Sequence, residues 1–90
     1  MNEKELKQKY FNDFSELRKI INSWNFIPDV PTDEFDTLSN KILSHLYKNT
    51  DFGKITSVIS SELTVYYGLY TTEFDSEKLT EEIFEWWKNK

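Results

Sequence analysis

The stretch from residue 24 to residue 69 decides the fold. It opens with Trp24-Asn25-Phe26-Ile27-Pro28 and closes with Tyr66-Tyr67-Gly68-Leu69. Between these ends, apolar residues recur every three or four positions in two separate runs, which is the period of amphipathic helices. We therefore predict two helices here and work outward from them.

The first of these two helices begins after Pro31. Thr32 is a suitable N-cap, and the acids within Asp33–Asp36 match the positive end of the helix dipole. Lys48 and Asn49 end the helix. Its apolar row consists of Phe35, Leu38, Ile42 and Leu46.

The second helix begins at Thr50 or Asp51. Gly68 is the expected left-handed stop, because glycine adopts positive φ at little cost. Residues 65–70 are also rich in β-forming side chains, so a strand is the alternative there. A lone strand would lack a partner in this chain, and we favour the helix. Its apolar row consists of Phe52, Ile55, Ile59, Leu63 and Tyr66.

Helices are also predicted on both sides of this stretch. Residues 3–23 carry one row, from which Phe11 departs by about 100°, and another helix starts near Asp75 or Ser76. These rows consist of Leu6, Tyr10, Phe14, Leu17, Ile21 and Trp24, and of Leu79, Ile83, Trp86 and Trp87. Four helices predict an all-α fold, a compact four-helix bundle with short loops that forms one domain over residues 1–90.

Composition narrows the class of protein. The absence of cysteine excludes disulfides and thiolate metal sites. The charged N-terminus does not resemble a signal peptide, and no apolar run approaches the roughly 20 residues of a membrane span. We expect a cytoplasmic bacterial protein that needs no cofactor.

The net charge of −5 is unevenly distributed. Residues 1–24 carry four acids and five bases, whereas residues 25–90 carry twelve acids and six bases. Such an acidic surface argues against binding nucleic acid, because phosphate contacts need clustered Lys and Arg. It suits a basic protein partner, or serves only solubility.

Several short motifs resemble the YugE-like family of small bacterial proteins. The family's Trp-Asp-Pro-like turn corresponds to Trp24-Asn25, its Glu-Tyr-Asp to Glu34–Asp36, its Ile-x-x-Leu helix to Ile42 with Leu46, and its segment ending in Gly-Leu to residues 61–69. Pro28 comes later than the family's proline, and Asn25 replaces the usual acid. The resemblance implies a small all-helical fold without enzyme activity. Similar small proteins also occur beside bacterial toxin genes as immunity proteins.

Glu62 is the most unusual position. On a helical wheel it lies between Ile55 and Val58, on the core side, where a bare carboxylate is costly. It is either a catalytic or ligand-binding acid or a structural group. We favour a structural role, with a Tyr hydroxyl, His45, a helix N-terminus or Arg18 as its partner.

Two further groups have ordinary explanations. His45 is the only histidine, and we interpret it as a partly buried, hydrogen-bonded side chain, since it lacks a nucleophile motif and companion metal ligands. The acidic residues 29–36 lack the spacing and central glycine of an EF-hand, and helix capping accounts for them. We predict no catalytic and no metal site.

The last helix is the best candidate for a binding surface. Glu77, Glu81 and Glu85 form a stripe at i, i+4 and i+8, where like charges repel. Phe84 borders this stripe, and an aromatic beside carboxylates suits the binding of a basic partner. The alternative is a solvated face on which Phe84 covers a neighbouring segment.

The sequence thus predicts a non-enzymatic acidic binding protein. Its most concrete form is an immunity-type inhibitor that occludes a basic, nuclease-like toxin domain, with Glu77, Glu81, Phe84 and Glu85 as the contact residues. The alternative is a small housekeeping or regulatory protein, a monomer or a homodimer that pairs through Trp86 and Trp87.

Overall fold

A computed structural model describes residues 3–90, and these residues form an all-α domain without strands, as predicted. A π-helical segment, Glu62–Tyr66, continues the third helix, and a 3-10 turn, Thr71–Glu73, precedes the fourth. The four α-helices are α1 (Glu3–Ser23), α2 (Asp36–Tyr47), α3 (Phe52–Ser61) and α4 (Ser76–Lys88).

Successive helices pack against one another, α1 on α2, α2 on α3 and α3 on α4. Their apolar rows meet in one core, and α2 contributes the most fully buried apolar residues to it, Leu38, Ile42, Leu43 and Leu46. Half-buried aromatic side chains from the connections close its rim. The fully buried apolar residues are Leu17, Ile21, Phe35, Leu38, Ile42, Leu43, Leu46, Ile55, Ile59, Leu63 and Ile83.

Helix α1 is longer than the helix that covers it. Arg18 pairs with Asp36, and the Tyr10 hydroxyl donates to Asn40, so the two helices run antiparallel. With 21 residues against 12, α1 extends beyond α2 at its N-terminal end. Leu6 is therefore 54% exposed, and the prediction that the whole apolar row of α1 lies in the core is wrong for its first turns.

Helix α2 begins later than the sequence predicted. Its N-cap is Phe35, not Thr32, and no side chain caps it. Residues 31–36 instead form two turns, in which the amides of Glu34 and Asp36 donate to carbonyls three residues earlier. The Phe35 side chain is buried at this point. The helix therefore starts at a position that buries this ring and has no side-chain cap.

The end of the third helix departs from the α-helical register. The Tyr67 amide donates to the Glu62 carbonyl, five residues earlier, which widens the turn. Leu63 is the last buried residue of this element. Tyr66 points outward and is 65% exposed, so its predicted place in the apolar row is wrong. Gly68 ends the element at φ +73, as predicted.

Both helices that flank the third connection begin as expected. Asp51 caps α3 by accepting from the Lys54 amide at 2.8 Å, and Asp75 caps α4 by accepting from the Lys78 amide at 3.2 Å. Over residues 3–90, no helix is long and apolar enough to cross a membrane.

Candidate functional site

Contacts on the inner face of α4 fix the rotation of this helix about its axis. Ile83 is fully buried, and the buried Thr80 hydroxyl joins α4 to α3 through Thr56 at 2.9 Å. The half-buried Leu79 completes this face. The opposite side of the helix is consequently fixed toward solvent.

The predicted acidic stripe lies on that outer side. Glu77, Glu81 and Glu85 are all exposed, and no Lys or Arg among residues 3–90 makes an ion pair with any of them. Within the described part of the chain, the Glu85 carboxylate accepts a hydrogen bond from the neutral side-chain amide of Asn89, at 3.0 Å. The stripe therefore presents carboxylates whose charge is not neutralised by direct contact within the described chain.

Phe84 precedes Glu85 directly on α4, and its ring has an intramolecular partner, which is the kind of contact expected if Phe84 covers a neighbouring segment. Its ring stacks on Phe52, with 5.5 Å between centroids and 26° between planes. Phe84 is half-buried, whereas Phe52 is 38% exposed. The two rings form an apolar platform beside the carboxylates, to which α3 contributes a residue that the sequence reading did not include in the site.

Glu82 belongs to a different surface. Its carboxylate accepts from the indole N–H of Trp24 at 2.9 Å, which links α4 to the end of α1. This acid is engaged within the chain and is not part of the stripe.

Glu62 has a partner that the sequence analysis did not consider. Its side chain is 14% exposed and forms an ion pair with Lys41 of α2, so the proposed partners among Tyr, His45, Arg18 and helix N-termini are wrong. Lys41 lies one turn before His45 on α2, which places its ammonium beside α3. The pair accounts for a carboxylate on an inward position without invoking chemistry.

His45 is half-buried at the end of α2, and its Nδ1 lies 3.2 Å from the Thr50 hydroxyl. Together with Lys41, Lys54 and Glu62 it lines an open groove of about 450 Å³. His45 and Glu62 thus share a groove, but Glu62 is bonded to Lys41. Nowhere in residues 3–90 do three or more His, Asp or Glu side chains form a group that could hold a metal ion.

Asp13, the most deeply buried carboxylate of residues 3–90, was not among the predicted site residues. Its side chain is 3% exposed, and it accepts from Lys9 at 3.0 Å, from Lys90 and from the Tyr47 hydroxyl. Asp13 lies four residues before Leu17, so the helical wheel places it on the core side of α1. Because every oxygen is bonded, the arrangement is structural and joins α1, α2 and the end of α4.

The environment of Asp13 shifts several protonation equilibria. Burial alone would raise the pKa of Asp13, but hydrogen bonds from Lys90, Tyr47 and Lys9 outweigh it and hold the pKa below 3.8. Burial and the bond to Asp13 raise the pKa of the Tyr47 hydroxyl. For Lys90, burial lowers the pKa, but the bond and charge of Asp13 prevail and raise it.

Trp86 and Trp87 are engaged inside the chain. The Trp86 indole donates to Glu16 at 3.0 Å, and Trp87 meets the Tyr47 ring edge-on with centroids 5.5 Å apart. Lys90 lies over Trp86, 4.9 Å from the ring centroid. Both tryptophans are half-buried, and Trp87 also lines an open groove together with residues of α1.

Comparison with models of known protein families, with characterised proteins and with solved structures finds no match for this chain. The resemblance to the YugE-like family therefore remains a prediction from the motifs quoted above. The outer face of α4, with its three exposed glutamates and the Phe84–Phe52 platform, is the site on which a functional argument rests.

Proposed function

We propose that this protein is a non-enzymatic binding protein whose α4 surface, defined as Glu77, Glu81, Glu85 and the Phe84–Phe52 platform, binds a basic protein. One observation carries the proposal: three exposed carboxylates lie in a row on a rigidly held helix, and no cation of residues 3–90 pairs with them.

The spacing of the glutamates supports a charged partner. Side chains at i and i+4 lie about 5–6 Å apart, and like charges there cost a few tenths of a kcal/mol per pair. Two such pairs occur here, Glu77 with Glu81 and Glu81 with Glu85. Lys or Arg side chains from a partner would remove the repulsion and form charge-assisted hydrogen bonds.

The platform supplies the second element of a binding site. Charged groups on the rim of an interface mainly accelerate association, whereas a buried aromatic anchor slows dissociation. Phe52 is 38% exposed and stacks on Phe84, so a partner can cover an apolar surface that is already ordered. Little conformational entropy is lost when such rigid rings are covered.

The specific form of the proposal is an immunity-type inhibitor of a nuclease-like toxin domain. A nuclease is basic where it holds nucleic acid, and an acidic row can occupy that cleft in place of phosphates. The net charge of −5 and the resemblance to proteins found beside toxin genes support this form. The inhibition would be steric and electrostatic, without a chemical step.

The test is binding of the protein encoded by the adjacent reading frame. Association is measured by stopped-flow at low and at high salt, for the parent and for a variant with Glu77, Glu81 and Glu85 all changed to lysine. We expect association to slow at least about tenfold at low salt, because steering is lost, and the difference to shrink at high salt. Equal association rates would overturn the proposed role of the stripe.

A matched control separates the stripe from overall charge. Changing the exposed acids Asp29, Asp33 and Glu34 to lysine alters the net charge by the same amount, away from both α4 and the N-terminal half of α1. This control should slow association much less than the α4 variant. Phe84→Ala should leave the association rate unchanged and raise the dissociation rate by about tenfold or more.

A further inference from the structure

A second unexplained surface lies on the N-terminal half of α1. Leu6, Tyr10 and Phe11 are 54%, 37% and 63% exposed, and Phe14 forms the floor between them. Together with Glu3, Lys7 and Asn40 they line an open groove of about 530 Å³. We call this surface the α1 face.

The α1 face is the continuation of a core face. Leu6, Tyr10 and Phe14 belong to the same helical row as Leu17 and Ile21, which are fully buried against α2. Since α2 ends before it reaches the first turns of α1, the row continues without a cover among residues 3–90. Apolar side chains in contiguous positions outside the core are a usual mark of an interface.

The charges around the face indicate which partner it suits. Residues 1–24 carry four acids and five bases, whereas residues 25–90 carry twelve acids and six bases. Two copies of this acidic protein would therefore repel one another over most of their surface but not through α1. Within the face, the Lys7 Nζ and Glu3 Oε1 atoms lie 3.5 Å apart, so their charges offset each other.

We propose that two copies of the chain pair through the α1 face, with their α1 helices antiparallel about a twofold axis. A twofold interface must be complementary to itself, so that residue i contacts j and j contacts i. Leu6 and Phe11 lie on opposite edges of the α1 face, because five residues span about 140° of helical rotation. With the axis midway between residues 8 and 9, the Leu6 edges of the two copies meet, the Phe11 edges meet, and Lys7 lies opposite the Tyr10 ring of the other copy. The edge contacts are apolar, and a Lys beside a Tyr ring is a favourable cation–π pair.

This pairing differs from a dimer through Trp86 and Trp87. The Trp86 indole already donates to Glu16 and the Trp87 ring packs on Tyr47 within the chain, whereas Leu6 and Phe11 are more than half exposed. The α1 face also differs in charge from the α4 surface, so the two can be occupied by different partners.

Molecular mass is the first test. Few large side chains contribute to the face, so a small interface and a concentration-dependent dimer are expected. Sedimentation equilibrium of the parent should show a shift from 10.8 kDa toward twice that mass as concentration rises to about 1 mM. A constant monomer mass over the whole range would overturn the proposal.

Two variants locate the interface. Leu6→Glu and Phe11→Glu should each raise the dimer dissociation constant at least about thirtyfold, because each puts a charge, and its copy from the partner, in place of an apolar contact. Val65→Glu is the matched control, since Val65 is 83% exposed and lies on the π-helical segment. A dimer weakened by the control as much as by Leu6→Glu would place the interface elsewhere and contradict the proposal.

A covalent trap tests the orientation. The chain has no cysteine, so Lys7→Cys introduces one thiol per copy, close to the proposed axis. Mild oxidation should give a disulfide-linked dimer, with dioxygen or oxidised glutathione taking up the two electrons and the two thiol protons released. Ser57→Cys, an exposed position on α3, should give far less, and equal cross-linking of both would contradict the antiparallel arrangement.

The tests of the dimer and of the proposed function are independent, because the variants change different surfaces. Leu6→Glu leaves the α4 surface intact, so it should still bind the basic partner. The triple lysine variant of α4 should still form the dimer.

Discussion

At the scale of single residues, Asp13 should matter most for stability. Asp13→Ala leaves the Tyr47 hydroxyl and Lys90 without their acceptor. Hydrogen bonds to a charged group contribute about 1.5–3 kcal/mol, and we expect a loss of that size in the free energy of unfolding from urea melts. Asp33→Ala, at an exposed position, should change it by less than about 0.5 kcal/mol. Overlapping melts of Asp13→Ala and the parent would show that the buried bonds contribute nothing.

The same residue should make the protein acid-sensitive. The pKa of Asp13 is lower in the folded chain than its ordinary value of 3.8. Its stabilising contribution is therefore complete above the unfolded pKa and is lost as pH falls through the folded pKa. The difference in unfolding free energy between the parent and Asp13→Asn should be constant near pH 7 and shrink below about pH 4. A difference that stays the same down to pH 2 would contradict the lowered pKa.

Glu62 and Lys41 should contribute less than Asp13. The Lys41 side chain is 51% exposed, so solvent can satisfy it when Glu62 is removed. We expect Glu62→Ala to cost about 1 kcal/mol and Glu62→Gln somewhat less. A double-mutant cycle with Lys41→Ala isolates the pair, and a coupling energy near zero would show that the ion pair does not stabilise the fold.

The partners of buried charged residues could not be predicted from the sequence. A wheel places both Asp13 and Glu62 on inward sides, because the position of a side chain on one helix depends only on that helix. The partner lies on another element, and Lys41 or Tyr47 cannot be found from a wheel. The stripe on α4 was predictable for the opposite reason, since an exposed row needs no partner to define it.

At the scale of elements, the two glycines of the chain give a matched pair. Gly68 has φ +73, and a methyl group there would meet nothing within 4 Å, so only backbone strain opposes a substitution. Gly68→Ala should lower stability by about 1–2 kcal/mol. Gly53 lies in the first turn of α3 with only Asp51 Oδ1 near, at 3.5 Å. Gly53→Ala should raise stability by up to about 1 kcal/mol, and thermal melts that shift both variants in the same direction would contradict this assignment.

The rows of apolar residues predicted the four helices because the spacing of three or four residues identifies a helix and a Pro, Gly or capping residue marks its end. The π-helical segment was not predicted, since one residue of shifted register leaves the sequence pattern unchanged. Residues 65–70 suit both helix and strand. In the structure the helical segment ends at Tyr66, and the Tyr67 hydroxyl donates to the Glu34 carbonyl at 3.0 Å. Burial raises the pKa of this hydroxyl to about 12, with the charge of nearby groups adding to the effect.

At the scale of the molecule, charge and apolar surface are arranged on different helices. The α4 surface is acidic, and the α1 face is apolar with balanced charges. The sequence predicted the first from its charges, but not the second, because a row of apolar residues does not reveal which part of it a shorter neighbour leaves uncovered. The relative lengths and pairing of α1 and α2 had to be known.

Side-chain bonds between the first and last helices have a kinetic consequence. Trp24–Glu82 and Trp86–Glu16 join residues 58 and 70 positions apart, whereas α1–α2, α2–α3 and α3–α4 contacts join neighbours in sequence. Long loops close late, because their entropy cost comes before the contact forms.

These bonds should therefore be absent from the folding transition state. Trp24→Phe and Glu16→Ala should speed unfolding in stopped-flow experiments and leave the refolding rate nearly unchanged. Substitutions such as Leu38→Ala, between α1 and α3, should also slow refolding. The molecule would then lose its native state through the separation of α4 from α1, and the lifetime of the folded protein would depend on the contacts that form last.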